Sequence, residues 1–230
     1  MKPEMEWINN VKDENAAKIL QILKRTFSLP TWTKHRRDSF KTLVMAIISQ
    51  NTTDLNTAKA FEQLSNGFEI TPEVLAKASL SQIQNAIRPA GLYRSKSHSI
   101  KNAAVTILEK WHGTLQPILS SPIEEARRTL MQFQGIGPKT ADVVLLFAAK
   151  RPTVPIDTHV KRVATRLGFA PFYGSYEIVR AKLETLFASK DYLNVHLLLI
   201  AHGRKTCKAR HPLCNKCEVS MYCPTKGQWG

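Results

Sequence analysis

Residues Phe133–Val144 read FQGIGPKTADVV: two glycines one residue apart, then Pro-Lys-Thr, then an apolar run. Two familiar phosphate loops do not fit it. A P-loop needs glycine directly before its lysine, and Pro138 stands there; the dinucleotide fingerprint G-x-G-x-x-G needs glycine at position 140, which is Thr140, and no strand precedes it. What remains is helix, tight turn, helix. Gly135 and Gly137 let the backbone approach another chain closely and aim N–H groups outward. Pro138 suits the first position of the next helix, whose N-terminus favours an anion. Lys139, at the mouth of that helix, reads three ways: a phosphate anchor, a reactive amine or a solvated cation.

Helical periodicity continues on both sides of this turn. In NAAKILQILKR, Ala16, Ile19, Leu20 and Leu23 fall at i, i+3, i+4, i+7 and form one apolar face. DSFKTLVMAIIS opens on a capping residue and is apolar nearly all round, which predicts a buried helix. Thr71-Pro72-Glu73 and Ser121-Pro122 with Glu124 both read as helix starts, the second with the spacing of a capping box. DTHVKRVATRLG puts Val160, Val163, Ala164 and Leu167 on one face and stops at Gly168. No run alternates as a strand would, and PTVPI is short and proline-broken. The expectation is an all-α chain of about ten helices on short loops, without internal repeat or low-complexity tract.

The charge balance narrows the partners. The 230 residues hold 33 Lys+Arg against 18 Asp+Glu, a net +15, with an ordinary 43% apolar content. Such an excess points to an anionic partner, nucleic acid before membrane surface. No run of about 18 apolar residues suggests a membrane span, and the opening MKPEMEWINNVKDENAAKIL lacks the apolar core of a signal peptide. A cytoplasmic, nucleoid-associated location in a reducing compartment is expected, so disulfides are not.

All four cysteines lie in the tail, as C-x6-C-x2-C-x5-C at Cys207, Cys214, Cys217 and Cys223. A tail with so few apolar residues cannot bury a core of its own, and a metal centre would organise it. Structural zinc usually shows two close cysteine pairs, and only one is present here; the gaps also differ from the ferredoxin runs. Asp157, in VPIDTHVKRV, reads first as an N-cap for the helix that follows it.

The G-x-G turn resembles the helix-hairpin-helix motif, which grips a DNA phosphate through backbone amides without reading sequence. The cysteine spacing matches, gap for gap, the iron–sulfur loop of the endonuclease III family of DNA glycosylases, and HGRKTCKARHPLCNKC is similar to that family's run around it. That family's G-x-G-x-K-T-A is followed, as here, by a V-D-T-H-like segment eighteen residues after the lysine. The resemblance runs over essentially the whole chain. It implies a two-domain helix-hairpin-helix glycosylase fold. One domain is expected at 33–150, six-helical, with its hairpin at about 124–149. Residues 1–32 with 151–230 would form the second, which carries a [4Fe-4S] loop at 207–223.

It also implies roles. Lys139 is the nucleophile and Asp157 its partner; the four cysteines ligate the cluster; Lys208 and Arg210, in the loop between the first two cysteines, contact phosphate. Arg204, Lys205 and Lys216 add to the cations that offset a negatively charged cluster. GLYRSK is similar to a family segment that makes Leu92 an apolar wedge, with a buried leucine as the plain alternative. ISQNTTDLN departs from the family's S-A-Q-x-T-D. Asn51 takes the glutamine's place and Gln50 the alanine's, so which amide fills the space left by an extruded base stays open, beside a plain helix C-terminus. His159 either orients Asp157, contacts DNA or is a surface histidine.

The implied reaction is base excision from double-stranded DNA by a monomeric enzyme. An ordinary lysine, with pKa about 10.4, is protonated at neutral pH. Partial desolvation at a helix N-terminus among cations favours the neutral amine, which adds at C1′, forms a Schiff base and permits β-elimination. Asp157 accepts the proton and opposes the cationic sugar. DNA is expected in the groove between the domains, where Lys139 and Asp157 face each other. Oxidised pyrimidines are the first expectation for substrate. A mismatch glycosylase acting on uracil or thymine opposite guanine, or on adenine, and a non-catalytic DNA-binding module are the alternatives.

Overall fold

The computed structural model describes residues 13–29 and 38–229; the opening ten residues and the expected domain start at Thr33 lie outside them. Among the described residues the chain is helical, with no strand, and no helix is long and apolar enough to cross a membrane. It divides into two compact units, His35–Arg151 and Met1–Lys34 with Pro152–Gly230.

In the first unit, α2 (Ser39–Ile48) is largely buried. Asp38 caps it, Oδ1 accepting from Lys41 N–H at 2.7 Å, and seven of its residues are buried, as its near-uniform apolarity predicts. Around it come α3 (Asp54–Gly67), α4 (Pro72–Lys77), α5 (Leu80–Ile87), a 3-10 turn (Arg88–Ala90), α6 (Tyr93–Trp111), α7 (Gln116–Ser120), α8 (Ile123–Met131) and α9 (Pro138–Phe147). One apolar core runs from Phe40 to Ala148 through Leu43, Ile47, Ile83, Ile100, Leu130 and Val144. α4 and α7 are short, six and five residues long, beside six longer helices. Thr71 caps α4 with Pro72 at its first position, as its sequence indicates.

The start expected at Ser121 is corrected. α8 begins at Ile123 with Pro122 as its N-cap residue and no side-chain cap. Ser121 closes α7 instead, its hydroxyl donating to Ile118 O at 2.8 Å, and with Pro122 rather than Ser121 at the N-cap position no capping box forms with Glu124. α8 and α9 are joined by the Arg127 guanidinium, which donates to both oxygens of Asp142 at 2.7 and 3.2 Å. Asp142 is fully buried and Arg127 nearly so. Removing one member of such a pair generally costs about 3–5 kcal/mol, because the other is left buried and uncompensated. The two helices of the hairpin are thereby held in register.

In the second unit, α1 (Asp13–Thr26) buries Ala16, Ile19, Leu20 and Leu23 against α12 (Tyr192–Lys205). α10 (Thr158–Arg166) packs on α12 and on α11 (Tyr176–Leu186). α10 buries the expected Val160, Val163, Ala164 and Leu167. It ends in a Schellman motif: Gly168 has φ +75°, Phe169 N–H donates to Ala164 O at 2.8 Å, and Gly168 N–H to Thr165 O at 3.1 Å. That makes twelve α-helices among the described residues against about ten expected, the excess being the short ones whose periodicity is too brief to read.

Candidate functional site

The turn between α8 and α9 uses its two glycines differently. Gly135 has φ +79°, and a Cβ there would run into the Ser99 side chain of α6, 3.2 Å from its Cβ. Gly137 has an ordinary φ of −98°, and a Cβ there would meet nothing. The first glycine seats the turn on the protein; the second leaves its outer side open. Among the described residues the N–H groups of Gly135 and Gly137 find no acceptor, while Ile136 N–H closes the turn on Phe133 O at 3.0 Å. Two such amides beside a helix N-terminus suit an anion. Gly135→Ala is therefore expected to cost about 1–2 kcal/mol in a denaturant melt, and Gly137→Ala less than about 0.5 kcal/mol.

Lys139 follows as the second residue of α9 and is half-buried. The Gln50 amide docks on the same turn, donating to Gly135 O at 3.0 Å and to the hydroxyl of buried Thr140 at 3.2 Å. Asn51 is exposed at φ +50°. Leu92 is 60% exposed at φ +48°, so it is not a core leucine. Gln50 is thus committed to the hairpin, and of the two candidate amides Asn51 projects into solvent.

In the other unit, Asp157 is the N-cap of α10, with Oδ1 accepting from Val160 N–H at 2.7 Å. One carboxylate oxygen suffices for the cap; among the described residues the second has no hydrogen bond. His159 Nδ1 lies 3.1 Å from an Arg162 nitrogen, and Arg162 also donates to Gly203 O and Cys207 O. Burial lowers the Arg162 pKa, while Cys207 and Asp157 raise it. The start of α10 is thereby joined to the start of the cysteine segment.

Cys207, Cys214, Cys217 and Cys223 are unbridged and half-buried, and they line one recess, with Leu167, Pro212, Leu213 and Trp229. Among the described residues no three His, Cys, Asp or Glu side chains converge as ligands of one ion. Nitrogens face two of the sulfurs: Arg166 Nη1 donates toward Cys207 Sγ at 3.6 Å, and the His202 ring nitrogen Nε2 lies 3.8 Å from Cys217 Sγ. Burial pushes the Cys217 thiol up to about 11 and raises Cys223 as well, and it pulls buried His202 down to about 4. A group bringing positive metal would reverse the thiol shifts, because it stabilises thiolate directly. His202 Nδ1 is buried without a partner among the described residues.

Arg166 reads from sequence as a polar-face residue, yet it is 5% exposed. It donates to Lys208 O at 2.7 Å and Ala209 O at 3.1 Å, and its guanidinium lies 4.6 Å from the Trp229 ring centroid. Lys208 and Arg210 themselves stay exposed. Sequence reasoning also passed over Lys96, which is 3% exposed. A signal for it exists: 96, 100, 103, 104 and 107 form the buried stripe of α6, with the lysine as its first member.

Comparison with known proteins agrees with this geometry. Residues 44–189 match the HhH-GPD superfamily base excision DNA repair protein family. The chain is 44% identical over 188 residues to endonuclease III of Sulfolobus acidocaldarius, covering 81% of this chain and 82% of that protein. It is 33% identical over 215 residues to endonuclease III of Escherichia coli, covering 92% and 97%. Its fold matches that of a trapped endonuclease III–DNA covalent intermediate with a TM-score of 0.83 at 28% identity, covering 95% of this chain and 99% of that one. With both its sequence and its helices shared over nearly their full length, the chain belongs to the endonuclease III family of the HhH-GPD superfamily of base excision DNA repair proteins.

Proposed function

We infer that the protein is a bifunctional DNA glycosylase and abasic-site lyase that removes oxidised pyrimidines from double-stranded DNA. The observation that carries this reading is the hairpin. An anion-binding turn, open on its Gly137 side, is followed at once by a half-buried lysine. The amides of Gly135 and Gly137 hold a backbone phosphate, which leaves the Lys139 amine for the sugar. Once deprotonated, that amine adds at C1′ as the glycosidic bond breaks, and the electron pair leaves with the base. Asp157 takes up the proton and opposes the positive charge that develops on the sugar. The C1′–O4′ bond then breaks, O4′ takes up that proton and the sugar ring opens; the resulting iminium loses a proton at C2′ and expels the 3′ phosphate by β-elimination.

Asn51 and Leu92 enter the space the extruded base leaves, with Gln50 holding the Asn51 loop to the hairpin. Lys208 and Arg210 add phosphate contacts, and the protein acts as a monomer. Gly137→Ala, nearly neutral for stability, weakens duplex binding, because its methyl fills the open side of the turn.

The four cysteines are suited to a [4Fe-4S] cluster. They line one recess together with Leu167, Pro212, Leu213 and Trp229, and the Arg166 guanidinium donates toward the Cys207 sulfur. Thiolates spread around a recess rather than converging on a point fit a group larger than one zinc ion. When bound, the cluster supplies a four-point cross-link to a tail in which Val219 is the one fully buried apolar residue among those described from Cys207 onward.

Borohydride trapping tests the reading on duplexes carrying thymine glycol, uracil opposite guanine, or an abasic site. Adducts with thymine glycol and the abasic site are expected. An adduct with uracil opposite guanine alone would favour the mismatch enzyme, and none with any duplex would overturn the lyase reading. Iron analysis checks the cluster, and stoichiometric zinc would refute it.

A further inference from the structure

Lys96 is buried without a counter-ion. Its Nζ donates to Ile48 O at 2.8 Å and to Ala90 O at 2.9 Å, and among the described residues no carboxylate pairs with it. Burial lowers its pKa. A lysine in such a place is rare, because desolvating its charge is costly. Its two acceptors explain how it is tolerated. Ile48 O is the last carbonyl of α2, where the helix dipole is negative, and Ala90 O is the last of the 3-10 turn.

Those carbonyls are the roots of two loops. Asn51 lies three residues beyond Ile48, and Leu92 two beyond Ala90. Both hold left-handed backbone, at φ +50° and +48°. An exposed leucine in that conformation persists only where its surroundings impose it. Lys96 grips the Leu92 loop twice, since its own N–H donates to Leu92 O at 3.1 Å. The Asn51 loop is held from its other side by Gln50 on the hairpin. The tips project while their bases are fixed to one ammonium group.

We propose that Lys96 is a positioning residue that ties the Asn51 and Leu92 loops into a single two-pronged wedge, so that both enter the duplex together when a base is extruded. The proposal rests on the glycosylase reading. It assigns the Lys96 bonds to the opening of base pairs rather than to chemistry at the sugar. A wedge whose prongs move independently would open a pair less often, yet would cut normally wherever the base is already unpaired.

α6 supplies its own control. Lys101 Nζ donates to Ala76 O at 2.8 Å and Ala78 O at 2.5 Å, a like pair of carbonyls at the end of α4. Lys96→Met and Lys101→Met each remove two such bonds, but only the first touches the loops. Single-turnover excision of thymine glycol is measured in a fully paired duplex and in a bubble with mismatches on both sides of the lesion, with a thermal melt of each variant. Lys96→Met is expected to slow duplex excision about 30-fold, on the scale of a small misplacement of a positioning group, and bubble excision less than about threefold. Lys101→Met should leave the duplex-to-bubble ratio at the wild-type value even where it lowers the melting temperature as much. An unchanged ratio in Lys96→Met, or an equal fall in Lys101→Met, overturns the proposal. Wild-type protein that excises from neither substrate overturns the glycosylase reading instead. Should Lys96→Met melt too low to assay, Lys96→Gln, which keeps a shorter donor in the pocket, carries the same comparison.

Discussion

Lys139→Gln is expected to bind duplex DNA normally, to form no borohydride-trapped adduct, and to lose about 10⁴-fold or more in strand cleavage, the scale seen when a covalent nucleophile is removed. The change is conservative for the fold. Lys139 is the second residue of α9, Pro138 has already set the helix direction, and glutamine is an ordinary helix former. The apolar contacts of the helix begin further along, at Ala141, Val144 and Leu145. What the variant lacks is a nitrogen lone pair able to attack carbon, since an amide nitrogen is not nucleophilic. The competing role for this lysine, a phosphate anchor, gives the opposite pattern. Losing one phosphate contact would weaken binding at every sequence and lower the salt-dependence slope by about one, while the adduct would still form on another amine. Duplex affinity against ionic strength and trapping on an abasic site separate the two, and an adduct that persists in Lys139→Gln would move the nucleophile elsewhere.

Why the sequence made this lysine legible, but not Lys96 or Arg166, is a matter of range. The hairpin, the α2 cap at Asp38 and the Gly168 stop are written in neighbouring residues, because turns and caps bond within a few positions. Lys96 bonds a carbonyl 48 positions away, and Arg166 bonds carbonyls 42 and 43 positions away. Charged residues in a helix are read as solvent-facing unless such acceptors are known, and carbonyls leave no mark in a sequence. Gln50 is the same case, with partners 85 and 90 positions distant, so its docking on the hairpin waited for the structure. Ser121 misleads for a different reason. Its local pattern fits a helix start, but Ser121 is the C-cap of α7 and α8 starts one residue later, from Pro122. The cysteine spacing is legible as a ligand set; the Arg166, His202 and Trp229 side chains around it are not, because they come from separate stretches of chain.

Asp157→Asn is expected to melt with wild-type stability and to lose about 10²–10⁴-fold in base excision, the usual contribution of a positioned acid–base group. Local structure makes the separation possible. The cap needs one acceptor toward Val160 N–H, which sits 2.7 Å from Oδ1, and an asparagine side-chain oxygen supplies that as well as a carboxylate does. Nothing else in the capping geometry depends on charge. The proposed chemistry depends on it entirely: an amide neither accepts the amine's proton nor opposes a cationic sugar. Asp157→Ala removes both functions and should add the loss of a cap, about 1 kcal/mol in a denaturant melt, to a similar loss of rate. The difference between the two variants therefore measures the cap, and their common loss measures the carboxylate. Were Asp157→Asn as active as wild type, the residue would be a helix cap and nothing more; were it as unstable as Asp157→Ala, the cap and the charge could not be divided, and the carboxylate would be stabilising α10 through Arg162.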